Sequence, residues 1–254
     1  MNLTGLTAVP LAEILQSPQQ RLLAYPDERV GCDRISELSD LGITAIYDWG
    51  PKQIQGWHCL GLGYCGLVLL AQHQDQQIAL KVRRADASRP SFAQEASMLT
   101  LANTHQVGPQ LLGSSPNFLL MDHVVGQPLL VWLQSFQALT HTTLQSQLTQ
   151  LLWQAFQLDQ ASLDHGNLRC VTAHSIVTTQ GPVLLDFSSA STTRRPANVT
   201  SLTQGLFWGT TVASLLVPHW FHPDQQHCIE RLRHYKHHPT SENFQRLLDL
   251  LFDP

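Results

Sequence analysis

Charge is scarce in this sequence. Only 13% of the 254 residues are Asp, Glu, Lys or Arg, whereas about 25% is usual in soluble proteins. The formal net charge is −4, and the basic pairs Arg83-Arg84 and Arg194-Arg195 are too small to form an extended cationic surface. We therefore expect no nucleic-acid partner. Glutamine, with 26 residues, and histidine, with 13, supply much of the remaining polarity.

Signals for cross-linking, export and membrane insertion are also missing. The five cysteines are odd in number and form no Cys-x-x-Cys pair, which argues against a disulfide framework or a zinc site. Residues 1–10 lack a basic patch followed by an apolar run, so we expect no signal peptide. The longest apolar runs are far shorter than the ~20 residues of a membrane-spanning helix. The sequence therefore predicts a soluble protein of a reducing, cytoplasmic compartment with no membrane partner.

The order of the predicted elements indicates an α+β protein with two lobes. Apolar positions recur at helical spacing in Leu11–Leu23 and Ile35–Leu41. Short strands separated by Gly and polar turns predict an antiparallel meander of Ile54–Leu60, Leu67–Gln72 and Gln77–Arg83. Two more strands are predicted around Ser114–Asn117, and helices at Ser91–Ala102, Leu144–Leu158, Asn198–Leu216, Asp224–Tyr235 and Ser241–Phe252. We divide the chain into a helical extension (1–42), an N-lobe (43–126) and a C-lobe (127–254).

Three glycines form the pattern Gly-x-Gly-x-x-Gly at Gly61, Gly63 and Gly66. Such a spacing lets backbone N–H groups close over phosphates. In a dinucleotide-binding Rossmann fold a helix follows the last glycine, and Asp86 would stand where a ribose-binding acid is expected. Here a β-rich run at 67–71 and a polar turn follow instead, which places the glycines in a hairpin. A purely structural glycine-rich hairpin remains an alternative.

A lysine and a glutamate downstream of the glycines are candidate partners. Strand alternation puts Lys81 on one face of its strand together with Ala79, whose small side chain leaves space for an adenine ring. Glu95 falls at the edge of the apolar stripe of the helix from Ser91, where a carboxylate is costly unless it is paired. Lys81 would supply that partner. The alternatives are a solvent-facing lysine and a partly exposed glutamate.

The second half of the chain carries candidate metal-binding and catalytic residues. Asp186 ends an apolar strand, from which an aspartate can reach a metal held by phosphates. Upstream lies Leu163-Asp164-His165-Gly166-Asn167-Leu168, which resembles the catalytic loop of small atypical kinases with Asn167 in place of the catalytic base. Because an amide cannot accept a proton from a hydroxyl, Asp164 is the alternative acceptor. His174 is a candidate metal ligand, a structural histidine being the other interpretation.

Together these segments resemble the protein-kinase-like superfamily, and most closely the predicted serine/threonine protein kinases of archaea and bacteria related to the RIO group. The resemblance covers roughly residues 41–205. It implies a two-lobed protein-kinase-like fold, with an antiparallel β-sheet N-lobe carrying one key helix, a mostly helical C-lobe, and ATP and Mg²⁺ in the cleft. Asn167 in place of an acid and Ser188 in place of glycine are departures from the family pattern. The site residues implied are Lys81, Asp164 and Asn167 for catalysis, Gly61, Gly63, Gly66, Val68, Ala79, Lys81, Glu95, Met121 and Asp122 for the nucleotide, and Asp186 and His174 for the metal.

The resemblance implies an ATP-dependent phosphotransferase acting on a hydroxyl of a protein or small molecule. Asn167 favours the alternative of a nucleotide-binding pseudokinase that docks partners. A small-molecule kinase of the aminoglycoside-phosphotransferase type would need an acidic cleft, but no acid lies between Asp186 and Pro196. Arg194 and Arg195 suit either an anionic partner or a structural role in holding this loop.

Overall fold

The computed structural model describes residues 6–27, 29, 31–135, 140–216 and 224–252. The chain forms two compact units. The first consists of Met1–Thr100 and Pro109–Val124, and the second of Leu101–Gly108 and Val125–Pro254. Strands and helices are both abundant and the sheets are antiparallel, which confirms the α+β class.

The first unit is built on a sheet of seven strands: β1 (Ala8–Pro10), β2 (Ile43–Tyr47), β5 (Gly61–Leu62), β6 (Gly66–His73), β7 (Gln76–Arg83), β8 (Leu111–Ser114) and β9 (Phe118–Asp122). The strands run in the order β1-β2-β6-β7-β9-β8, with β5 added to β6. Every pair in this sheet is antiparallel. Its helices are α1 (Leu11–Gln16), α2 (Cys32–Asp40) and α3 (Ala93–Thr104), of which α3 passes into the second unit from Leu101 on.

The predicted strand Ile54–Leu60 is wrong. This stretch belongs instead to a separate hairpin of β3 (Lys52–Ile54) and β4 (Trp57–Cys59), which pair with each other in a two-stranded sheet. Gln55 and Gly56, the two residues of the turn, both have positive φ angles, of 50° and 80°. A two-residue turn of this kind joins adjacent antiparallel strands, so the chain reverses where we expected it to continue.

The two faces of the main sheet bury different groups. Ile78, Leu80 and Val82 of β7 belong to one large apolar core, as strand alternation predicts. On the opposite face Leu119 of β9 packs with Phe92 and with Ala96 of α3. Lys81 is therefore on the α3 side of the sheet, because its neighbours in β7 point the other way.

The described residues before residue 43 share a sheet and a core with the rest of the first unit. β1 pairs with β2 in the register Val9↔Ile46. Ile14, Leu22 and Leu38, all less than 2% exposed, lie in the same core as β7. The segment that we predicted as a helical extension thus contributes a strand, which the helical spacing of its apolar residues did not indicate.

The second unit is mostly helical. Its helices are α4 (Leu129–Gln134), α5 (His141–Gln160), α6 (Asn198–Phe207), α7 (Thr211–Leu216), α8 (Gln225–His237) and α9 (Ser241–Phe252). A small antiparallel sheet has the order β10 (Gln127–Pro128), β11 (Ser175–Val177) and β12 (Pro182–Leu184). The bounds of α9 match the prediction. The predicted helix Asn198–Leu216 is instead two helices, since Gly209 between them has a φ of +67°.

Two 3-10 segments, Leu168–Ala173 and Phe187–Ser189, also belong to this unit. Across the described ranges, no helix has the length and apolar content needed to span a membrane.

Candidate functional site

The first unit holds a buried ion pair between β7 and α3. Lys81 Nζ lies 2.6 Å from Glu95 Oε1, and the two side chains are only 8% and 4% exposed. Lys81 Nζ also lies 5.6 Å from the centroid of the Phe92 ring. Two opposite charges removed from water are stable only as a pair, and breaking such a pair typically costs ~3–5 kcal/mol. The structure thus brings together the lysine and glutamate that the sequence predicted as partners.

The glycines lie in a tight hairpin next to this pair. Gly61 pairs with Val68 across β5 and β6, and Gly63 N donates a hydrogen bond to Gly66 O at 2.8 Å. A Cβ on Gly66 would stand 3.0 Å from Val82 O and 3.2 Å from the Lys81 side chain. Gly66 is therefore the position where the absence of a side chain lets β6 lie against Lys81.

The tip of the hairpin is exposed. Tyr64 is 82% exposed, whereas the flanking Gly61 and Cys65 are partly buried. Gly61 and Gly63 leave their surroundings open, since an added Cβ would meet no atom closer than 3.6 Å. The N–H of Gly63 is itself bound to Gly66 O, so these two glycines offer a ligand space for close approach to the hairpin backbone.

The remaining nucleotide-binding candidates of this unit lie beside Lys81 in the sheet register. Val68 is the cross-strand partner of Lys81, and Ala79 is the partner of Met121. Cross-strand partners share a face of the sheet, so Val68 and Lys81 point the same way, as do Ala79 and Met121. Asp122 is the exposed last residue of β9. Its cross-strand partner is Ile78, so Asp122 lies on the face of the sheet opposite to Lys81.

In the second unit, Asp164 is held by an arginine. Arg194 Nε donates to Asp164 Oδ2 at 2.7 Å, and the same guanidinium donates through Nη2 to Ser189 O at 2.5 Å. Asp164 also forms an isolated antiparallel bridge with Ser191, with backbone hydrogen bonds of 2.9 and 2.8 Å. The Asp164 carboxylate is thus fixed in place, and its Oδ2 is bound to the guanidinium of Arg194.

Asn167 is engaged as a donor. Its Nδ2 donates to Ser189 Oγ at 2.9 Å, which orients the amide toward the segment after Asp186. A Cβ on the neighbouring Gly166 would stand 2.7 Å from both Arg194 Nη2 and Ser189 O, and its φ is +86°. The Asp164–Asn167 loop therefore packs closely on residues 189–194, and only glycine fits at its centre.

Asp186 and His174 are close neighbours. His174 Nδ1 lies 3.8 Å from Asp186 Oδ2, and the Asp186 side chain is 39% exposed. Asp186 has a φ of +63°, and its carboxylate accepts a hydrogen bond from Ser188 N at 3.3 Å. A non-glycine residue in this strained region often marks a functional position. No cluster of three or more His, Cys, Asp or Glu side chains with metal-binding geometry occurs within the described ranges.

His165 joins the Asp164 loop to the strand that precedes Asp186. Its Nε2 donates to the carbonyl of Leu185 at 3.0 Å, and the side chain is fully buried. Burial disfavours the imidazolium and lowers the pKa of His165 from 6.5 to about 4. The ring is therefore neutral at physiological pH, and His165 acts as a hydrogen-bonded spacer.

A buried acid that the sequence analysis missed supports the same loop. Asp159 of α5 accepts hydrogen bonds from Asn198 N, Asn198 Nδ2 and Tyr235 Oη, at 2.8–2.9 Å. Asn198 Oδ1 in turn accepts from His165 N at 2.8 Å, and Asn198 Nδ2 donates to Leu163 O at 2.7 Å. The position of Asp159 on the apolar side of α5 was a usable signal, because an acid there needs donors.

Arg194 and Arg195 both bind groups of their own unit. Arg195 donates to the carbonyl of Lys236, while Arg194 is taken up by Asp164 and Ser189. These contacts match the structural role that the sequence analysis considered for the pair.

No protein-family model and no curated protein matches this chain. The function proposed for it therefore rests on its own residues and their contacts.

Proposed function

We propose that the protein is an ATP-dependent phosphotransferase of the protein-kinase-like superfamily, similar to the RIO-related serine/threonine kinases. The buried Lys81–Glu95 pair at 2.6 Å carries this proposal. A lysine that is almost excluded from water and fixed by a helix carboxylate is prepared to bind another anion, and in kinases such a pair positions the lysine on ATP phosphates. The neighbouring glycine hairpin lets a ligand approach its backbone closely, because Gly61 and Gly63 have open space where a side chain would lie.

Nucleotide and metal are assigned to different residues. Gly61, Gly63 and Gly66 cover the phosphates and Lys81 neutralises them, with Val68, Ala79, Met121 and Asp122 at the base and sugar. Mg²⁺ binds hard oxygen ligands and commonly uses one or two carboxylates together with substrate phosphates. The partly exposed carboxylate of Asp186 fits this requirement. The imidazole of His174 is the neighbouring candidate ligand, although nitrogen suits Mg²⁺ less well than oxygen.

The reaction transfers the γ-phosphoryl group of ATP to an acceptor hydroxyl. A bond forms between the acceptor oxygen and the γ-phosphorus, the bond from that phosphorus to the β–γ bridging oxygen breaks, and ADP leaves. Asp164 is the group that takes the hydroxyl proton, because Asn167 has no basic atom. Positioning and charge neutralisation carry most of this chemistry, and a general base typically adds ~10²–10⁴-fold.

The second candidate function is a nucleotide-binding pseudokinase. Two observations favour it: the Asp164 carboxylate is engaged by Arg194, and the Asn167 amide is oriented as a donor to Ser189. Both interactions leave nucleotide binding possible while slowing proton removal from an acceptor.

Titration of Mg·ATP tests the proposal through the melting temperature and the dissociation constant. We expect stabilisation of the wild type, since a ligand that binds only the folded state raises stability. Asp186→Asn should weaken the Mg²⁺-dependent part, while Asp75→Asn, an exposed acid in a turn, should not. Lys81→Ala leaves the buried Glu95 carboxylate without its counter-charge, which destabilises the fold by itself. The double variant Lys81→Met/Glu95→Gln, which removes both charges, is therefore measured beside it. Absence of binding to the wild type contradicts both candidate functions.

Turnover separates the two candidates. In the phosphotransferase, Asp164→Asn should lower kcat by at least ~10², while Asn167→Ala should have a smaller effect. Binding without ATP turnover or autophosphorylation would instead identify a pseudokinase. Arg194→Gln releases Asp164 from its cation, and an increase in kcat would show that the ion pair restrains the reaction.

A further inference from the structure

Glu37 on α2 is bound to the turn between β8 and β9. Its carboxylate accepts hydrogen bonds from Ser115 Oγ, from Asn117 N at 2.8 Å and from Asn117 Nδ2 at 2.5 Å. These contacts join residues about 80 positions apart in sequence. Hydrogen bonds to a charged acceptor are stronger than neutral ones, so Glu37 fixes the position of this turn relative to α2.

The turn then binds the end of β7. Asn117 O accepts from Arg83 N at 2.8 Å, and Asn117 Oδ1 accepts from Arg83 Nε at 2.9 Å. Arg83 lies two residues after Lys81 in the same strand. The same amide side chain thus binds Glu37 through its nitrogen and Arg83 through its oxygen, which leaves it a single orientation.

A second residue of α2 reaches the same strand end. Arg34, one helical turn before Glu37, donates through Nη1 to Arg83 O at 2.7 Å and to Leu23 O at 2.7 Å. Its guanidinium is buried, at 8% exposure. Residues three apart lie on the same side of a helix, so α2 presents Arg34 to β7 and Glu37 to the turn at once.

The turn also holds the start of α3. Phe92 N donates to Pro116 O at 2.9 Å, and Ala96 N donates to Phe92 O at 2.9 Å. Glu95 lies in the first turn of α3, three residues after Phe92. The residues Ser115, Pro116 and Asn117 therefore contact α2, β7 and the beginning of α3 together.

We propose that α2 is a positioning element for the Lys81–Glu95 pair and that Glu37 is its principal positioning residue. Glu37 holds the 115–117 turn, and the turn fixes β7 through Arg83 and α3 through Phe92. The strand that carries Lys81 and the helix that carries Glu95 then keep their spacing. The consequence for ATP rests on the proposed function, whereas the effect on the ion pair does not.

Lysine acylation tests the effect on the ion pair without any nucleotide. The chain has only three lysines, and Lys52 and Lys236 are exposed internal references. Limited treatment of the folded protein with acetic anhydride, followed by peptide mass spectrometry, gives the labelling rate of each. In the wild type Lys81 should react far more slowly than the two references. Glu37→Gln keeps the shape but loses the charge, and should raise the Lys81 rate on the order of tenfold.

Two controls separate positioning from general loss of stability. Glu13→Gln makes the same substitution at an exposed site of the same segment and should leave the Lys81 rate unchanged. Leu38→Ala removes a core side chain of α2 and lowers the melting temperature without altering Glu37. The Lys81 labelling rates of Leu38→Ala and Glu37→Gln are compared at temperatures equally far below the melting temperature of each variant. The proposal is overturned if Lys81 reacts as fast in Leu38→Ala as in Glu37→Gln. Glu37→Asp, which keeps the charge, should restore part of the protection.

Nucleotide binding tests the consequence for the proposed function. If the wild type binds Mg·ATP, Glu37→Gln should raise Kd on the order of tenfold, as expected for a small displacement of a binding group. The same substitution in the Lys81→Met/Glu95→Gln background should have no further effect, because coupled residues are non-additive. Equal effects in both backgrounds would contradict the role of Glu37. If the wild type does not bind, the proposed function fails, and the acylation rates still decide the positioning role.

Discussion

His165 shows how burial sets the chemistry of a single residue. Its ring is closed off from water, its Nε2 donates to Leu185 O, and its Nδ1 has no hydrogen-bond partner among the described residues. Protonation would place a charge in this environment, which explains why the pKa falls to about 4. The residue that stands next to Asp164 is thus unsuited to proton transfer near neutral pH and suited to holding the loop.

We predict a stability change with pH that depends on His165. Between its ordinary pKa of 6.5 and about 4 the unfolded chain binds a proton that the folded chain does not. Stability should therefore fall as the pH is lowered through this range, by up to ~1.4 kcal/mol per pH unit from this group. Urea unfolding of wild type and His165→Gln at pH 7, 6 and 5 measures the difference. Identical slopes in the two proteins would contradict the prediction, and His237→Gln, at an exposed site, is the control.

Asp159 is a second residue whose surroundings govern its charge. Burial raises the pKa of its carboxyl, while the donors from Asn198, Val199 and Tyr235 oppose that rise. The phenol of Tyr235 is affected in the same sense, since burial and the nearby Asp159 raise its pKa. These hydrogen bonds link α5, α6 and α8 to the loop that carries Asp164.

At the scale of elements, α6 positions this loop by close backbone packing. Gly205 faces the 3-10 turn Leu168–Ala173, and a Cβ there would stand 2.4 Å from Arg169 O. A carbonyl oxygen of the backbone cannot move aside as a flexible side chain can. The helix and the turn that follows Asn167 therefore require glycine at this contact.

Gly205→Ala should accordingly separate α6 from the turn. We expect a loss of ~1–3 kcal/mol in the free energy of unfolding, the usual range for overpacking, and a lower kcat if the proposed function holds. Denaturant unfolding measures the first effect. Gln204→Ala, at the exposed neighbouring position of the same helix, is the control and should change stability by less than ~0.5 kcal/mol. Equal stability of the two variants would contradict the packing argument.

The hairpin of β6 and β7 was the element that the sequence predicted best. Alternating apolar residues in β7 and the glycines before β6 indicated both strands and their faces, and the structure agrees. The strand at β1 was not predictable in this way. It is three residues long, with the pattern of a loop, and it exists because β2 offers an edge to pair with.

At the scale of the molecule, four described apolar residues before residue 43 are part of the first unit's core. Ile14, Leu22, Leu23 and Leu38 are almost fully buried with the sheet. Burying each side chain of this size is worth ~1.5–3 kcal/mol, so the four together contribute roughly 6–12 kcal/mol. That sum is comparable with the ~5–15 kcal/mol by which a domain is stable.

A chain that begins at residue 43 should therefore fail to fold cooperatively. We expect aggregation on size-exclusion chromatography and no sharp thermal transition by near-ultraviolet circular dichroism, because one face of the sheet would be exposed. A soluble monomer that melts within a few degrees of the full-length protein would contradict this prediction. The variant Glu37→Gln, which keeps every apolar residue of the segment, provides the comparison in which the fold is retained.

The sequence by itself determined the local features of this protein: the strand alternation around Lys81, the glycine turn before β6, the bounds of α9, and the presence of a lysine, a glutamate and an aspartate of the required types. Such features depend on periodicity and on residues a few positions apart, which a sequence records directly. Only the tertiary structure decided that Glu95 lies 2.6 Å from Lys81, that Arg194 binds Asp164, and that Glu37 holds the 115–117 turn. These contacts join residues 14, 30 and 80 positions apart, and packing rather than local pattern selects which distant side chains meet.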